Sequence, residues 1–126
     1  ADEYAEKYPT IVKAVHQENG GHGEGVNAGL RNATRLYFKV VDSDDWVSIS
    51  AYKEILKTLE KLAGAKPMVD MLISNFVYEK EGAKHKKVMK YTSAIPKEKL
   101  FPWKDVRHFS KGQYILLQSV IYRTQL

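Results

Sequence analysis

The strongest constraint in this sequence is one helical stripe. Tyr52, Ile55, Leu56, Leu59 and Leu62 recur at three- and four-residue intervals, while Lys53, Glu54, Lys57 and Glu60 take the other side. That period predicts an amphipathic α-helix, and such a helix needs another element to cover its apolar face. Ser48 or Ser50 can cap its start, and Gly64 followed by Pro67 ends it. A second stripe, Tyr4, Tyr8, Ile11, Val12 and Val15, predicts a helix near the N-terminus. Pro9 suits a first-turn position, so the regular part is expected to begin there. Asn19-Gly20-Gly21 would stop it, because glycine accepts the left-handed backbone of a C-cap. Residues 20–28 then read as a flexible loop.

The remaining apolar runs read as strands. Arg35 to Val41 alternates, with Leu36, Phe38 and Val40 on one side, and Asp42-Ser43-Asp44-Asp45 makes a turn after it. Met68 to Tyr78 and Lys87 to Ile95 are expected to pair as a hairpin, with Gly82 taking positive φ in the connection. Residues 96–112 read as a loop with a helical turn near Trp103–Phe109, and Tyr114 to Thr124 as a closing strand. The order α-β-α-β-β-β predicts a small single α+β domain over residues 1–126. One or two helices would pack on a mostly antiparallel sheet, with a protruding basic β-hairpin. A winged-helix arrangement is the competing geometry, with the Tyr52–Leu62 helix in a groove and the hairpin as wing.

At 126 residues there is room for one core, and 44% apolar with 28% charged residues is an ordinary globular composition. The absence of cysteine excludes disulfides, a thiolate nucleophile and thiolate metal sites. No apolar run reaches the ~18 residues of a membrane span, and no signal or transit peptide is evident, so a soluble, intracellular chain without a membrane partner is expected. Ala1 fits removal of an initiator Met or cleavage from a precursor.

Motifs for catalysis are weak. Gly23-Glu-Gly25-Val-Asn-Ala28 matches G-x-G-x-x-A, but a helix rather than a strand is expected before it, and no P-loop Lys-Ser/Thr follows. His16, Glu18, His22 and Glu24 carry zinc-ligand chemistry without fixed spacing, and read as surface residues beside a helix end. Asp42-Ser43-Asp44-Asp45 offers hard oxygen ligands, yet lacks the glycine and distal glutamate of an EF-hand. It reads as an acidic turn complementing the next helix dipole. No nucleophile elbow or H-E-x-x-H occurs. No cofactor, metal or catalytic residue is therefore expected.

Charge carries the functional expectation. Residues 1–79 hold twelve acids and nine Lys/Arg, whereas residues 80–112 hold ten Lys/Arg and three acids. The net +5 thus divides into −3 and +7, with Arg123 making up the balance. Lys80, Lys84, Lys86, Lys87 and Lys90 gather at the hairpin, and Lys97, Lys99, Lys104 and Arg107 follow. Such a surface attracts a phosphate backbone, and Tyr91 or Trp103 would stack on unpaired bases. Lysine outnumbers arginine there, which favours backbone contact over base reading. The sequence reading is a non-catalytic nucleic-acid-binding protein, with DNA, RNA or another anionic polymer as partner. A protein-interaction or enzyme-inhibitor module, and a small enzyme whose site shows no motif, are the alternatives.

Overall fold

The computed structural model describes residues 1–79, 82 and 84–125, and Lys80 of the hairpin tip lies outside them. The fold is mixed α+β with antiparallel sheets, as the element pattern predicted. Two compact units divide the chain at Arg35, Ala1–Arg35 and Leu36–Leu126.

The first unit holds two helices, α1 (Asp2–Lys7) and α2 (Gly21–Asn32). The N-terminal stripe does not run on as one helix. Proline disfavours the helical region for the residue before it, and Tyr8 leaves that region at φ −133°, ψ 60°. Beyond it only a turn remains, with Ile11 and Val12 N–H donating to the Tyr8 carbonyl at 3.0 and 2.8 Å. The glycine-rich stretch expected as a loop is helical instead. Each glycine costs a helix about 1 kcal/mol, and α2 contains four. Side-chain contacts offset part of that cost: Asn32 donates to the Ala28 carbonyl at 2.9 Å, Lys13 donates to Asn32 at 2.7 Å, and Arg31 pairs with Glu24. Gly21 takes φ +81°, but at the start of α2 rather than at the end of a preceding helix.

In the second unit, β1 (Tyr37–Phe38), β2 (Met71–Ile73) and β5 (Val120–Arg123) form a three-stranded sheet. β5 is central and antiparallel to both neighbours, with Phe38 opposite Tyr122 and Leu72 opposite Ile121. Val120 and Ile121 are buried there. The closing strand is shorter than Tyr114–Thr124 because Leu117–Ser119 turns as 3-10 helix. Ser119 is fully buried and returns both its N–H and its hydroxyl to the Leu116 carbonyl, a local bond that competes with the ladder.

β3 (Phe76–Tyr78) and β4 (Lys87–Met89) form a hairpin with Val77 opposite Val88, shorter than the expected pairing of Met68–Tyr78 with Lys87–Ile95, because the first part of that run, β2, pairs with β5 in the other sheet. Gly82 takes φ +75° in its connection. Met89, Tyr91, Ala94 and Ile95 form the core of this unit, with Phe76, Phe101 and Phe109 packed against it. Helix α3 (Ile49–Ala63) starts at Ser48, whose hydroxyl accepts the Ala51 N–H, and ends at Gly64. It has no fully buried residue, and Leu56 stays exposed on the apolar stripe.

Candidate functional site

Elements of the second unit enclose a cleft of about 560 Å³. One rim is the acidic turn after β1: the Asp45 N–H donates to the Asp42 carbonyl at 3.1 Å, and Asp44, Asp45 and Trp46 line the opening. The first turns of α3 follow with Tyr52 and Ile55, and β3 and Lys86 complete the opposite wall. Trp46 is 67% exposed, so the cleft carries a flat apolar surface beside its carboxylates.

Two hydrogen bonds join the lining residues Lys39 and Gln118 to each other and to Asp42. The Lys39 ammonium donates to the main-chain carbonyl of Gln118 at 2.7 Å, and the Gln118 side-chain amide donates to Asp42 Oδ2 at 3.2 Å. Burial lowers the pKa of Lys39 below the usual lysine value, and the charge of Asp45 pulls it partly back. Burial also raises the Tyr78 phenol, and the hydrogen bond with Tyr114 adds to that. Among the described residues, no group of three or more His, Cys, Asp or Glu is placed to hold a metal ion. His16 is exposed and paired with Asp2 at 2.7 Å.

The residues singled out from charge scatter across this unit. Lys86 alone of them lines the cleft, and it is paired with Glu79. The Lys87 ammonium sits 5.8 Å from the centre of the Tyr78 ring. Lys97 pairs with Glu98 at 3.2 Å, while Lys84, Lys90, Lys99, Lys104 and Arg107 are exposed. Tyr91 is 2% exposed and donates its hydroxyl to the Tyr114 carbonyl at 3.0 Å, so it belongs to the core and offers no stacking face. Trp103 is 66% exposed in a 3-10 turn at Trp103–Asp105; of the Phe101-Pro-Trp103 segment only Phe101 packs inward. The sequence reading passed over Lys39 and Trp46, and it weighed Asp44 and Asp45 as cation ligands but set them aside as an acidic turn. The available signal was an acidic run at the junction of a strand and a helix, where a loop side chain can face a ligand while rigid elements hold its backbone.

No solved structure matches this chain at a significant level. Three proteins of Bacillus subtilis (strain 168) do match in sequence. EpsH, named a putative glycosyltransferase, is 35% identical over 81 residues, which are 64% of this chain and 22% of EpsH. The minor teichoic acid biosynthesis protein GgaB is 34% identical over 59 residues, 47% of this chain and 7% of GgaB. EpsJ, named an uncharacterized glycosyltransferase, is 33% identical over 61 residues, 48% of this chain and 17% of EpsJ. The matched stretches thus span less than a quarter of each relative. The family described as glycosyl transferase family 2 matches residues 1–121.

These matches overturn the nucleic-acid reading. DNA or RNA as partner, and backbone contact through Lys84, Lys86, Lys87 and Lys90, do not stand beside a family match over residues 1–121. The physical error was to treat a run of lysines as one surface, when part of that charge is paired and its aromatic neighbour Tyr91 is buried. With nearly the whole chain covered, this protein belongs to glycosyl transferase family 2.

Proposed function

We propose that this chain takes part in glycosyl transfer, moving a sugar from a nucleotide-sugar donor to an acceptor hydroxyl, with the cleft beside Asp44 and Asp45 as the donor site. The observation that carries this reading is the family match over residues 1–121. The cleft chemistry supports it. In such a transfer the bond from the anomeric carbon to the diphosphate oxygen breaks, and a bond to the acceptor oxygen forms. The acceptor loses its proton, and negative charge collects on the departing diphosphate. A site for this step must hold the diphosphate near positive charge.

Asp44 and Asp45 suit a magnesium-like cation, which typically takes one or two carboxylates and fills its shell with water and substrate phosphate oxygens. Bound there, the cation would offset the charge developing on the leaving group. Lys39 lines the same cleft with its ammonium held in place, and Trp46 and Tyr52 line it with aromatic side chains of a kind that suits a nucleobase or sugar.

The test is release of nucleoside diphosphate from a panel of nucleotide sugars in the presence of Mg²⁺ or Mn²⁺. Asp44→Ala and Asp45→Ala are each expected to lower the rate by about 100-fold. No turnover by the unaltered chain, or variants as fast as the parent, would contradict the proposal.

A further inference from the structure

Gln118, which lines the cleft, holds Lys39 of the same lining and Asp42 of the acidic turn at once. Its main-chain carbonyl accepts the Lys39 ammonium at 2.7 Å, and its side-chain amide donates to Asp42 at 3.2 Å. Lys39 precedes the acidic turn and Asp42 opens it, so one residue grips both sides of the segment that leads into Asp44 and Asp45. Gln118 is itself set firmly. It lies in the 3-10 turn Leu117–Ser119, next to Ser119, which is fully buried and whose carbonyl accepts the Ser74 N–H at 2.8 Å. The grip therefore connects the turn to the strand end Val120 of the central strand β5.

A side chain that acts through another group, with no contact to the reacting atoms, changes rate by holding that group in its productive orientation. The three acids of the turn repel one another, and burial does not restrain Asp44 and Asp45, which are both exposed while Asp42 is half-buried. Inside the turn the Asp45 N–H donates to the Asp42 carbonyl at 3.1 Å, and its place against the rest of the unit needs a hold from outside it. Gln118 and Lys39 supply that hold, one by donating its amide to Asp42 and the other by the bond from its ammonium to the Gln118 carbonyl, which fixes the chain just before the turn.

We infer that Gln118 and Lys39 are positioning residues of this cleft, a clasp that holds the Asp42–Asp45 turn so that Asp44 and Asp45 face the donor. This rests on the reading of the cleft as a glycosyl-transfer site, but its first readout needs no activity. Trp46 adjoins the turn, whereas Trp103 lies in a 3-10 turn elsewhere in the sequence, and the two are equally exposed at 67% and 66%. The chain labelled with 5-fluorotryptophan therefore gives two ¹⁹F resonances, one reporting the turn and one serving as an internal control.

Gln118→Leu is expected to broaden or shift the Trp46 resonance and leave that of Trp103 in place. It should also reduce kcat/KM for donor turnover by about 10- to 100-fold, the range for a lost supporting contact, through kcat more than through the acceptor KM. Lys39→Met, a second variant should Gln118→Leu fail to fold, is expected to act the same way, while Lys39→Arg retains a donor for the Gln118 carbonyl and restores the Trp46 signal. Unmoved resonances in folded variants would overturn the clasp. So would equal movement of both resonances with a lowered melting temperature, since that is the mark of a merely structural contact. If the parent chain turns over no nucleotide sugar, the glycosyl-transfer reading fails, and the Trp46 signal still decides whether the clasp exists.

Discussion

Tyr91 shows how little of a residue's role is visible in its neighbours along the chain. It stands among lysines, yet it is 2% exposed and gives its hydroxyl to the Tyr114 carbonyl at 3.0 Å. Alternation along the strand already placed it on the same side as Met89, which is also buried. The charge of the flanking residues suggested a surface, because a lysine one position away points to the opposite face. Tyr91→Phe should cost about 1 kcal/mol, the net value of one buried hydrogen bond, read as a lower urea midpoint with an unchanged slope. Lys39 is the converse case. Within the run Arg35–Val41 nothing distinguishes it, and its importance comes from a carbonyl 79 residues away.

At the scale of elements, local signals succeeded where the determining physics is local. The stripe from Tyr52 to Leu62 became α3, capped by Ser48 and ended by Gly64, because period, cap and stop all act within a few residues. The hairpin formed with Gly82 at φ +75°. A Cβ at Gly82 would meet nothing within 4 Å, so the backbone is the only obstacle to a larger residue. Gly82→Ala should therefore destabilise by about 1–2 kcal/mol, the left-handed penalty for an L-residue, measured by equilibrium denaturation. The N-terminal stripe failed for an equally physical reason. Five apolar positions kept helical spacing, but Pro9 ended the helix one residue before itself, at Tyr8. In α2, glycine propensity argued for a loop, and contacts from Lys13, Arg31 and Asn32 favour the helix instead.

For the whole molecule, the two compact units differ in what holds them. In the first, Ala28 is buried on α2 and ion pairs such as His16–Asp2 are exposed; in the second, β5 is bonded on both sides and buries Val120 and Ile121. Hydrogen exchange should accordingly be slowest at the amides of Val120 and Ile121 and fastest in α1, which buries no side chain. Slower exchange in α1 than in β5 would show that the sheet is not the stability centre. The mixed α+β class and the antiparallel pairing were legible, because they follow from apolar periods of 3.6 and 2 that each segment carries within itself. The division of charge into −3 and +7 was also correct as arithmetic. It misled about function because net charge ignores which charges find partners. Folding pairs Lys86 with Glu79 and brings Gln118 to Asp42 and Lys39. By itself the sequence determined helix α3 with its cap and stop, and the turn between β3 and β4, since those preferences are written into neighbouring residues. Only the tertiary structure decided that the acidic turn, the first turns of α3 and the residues around Gln118 share one cleft, because that convergence depends on contacts more than seventy residues apart.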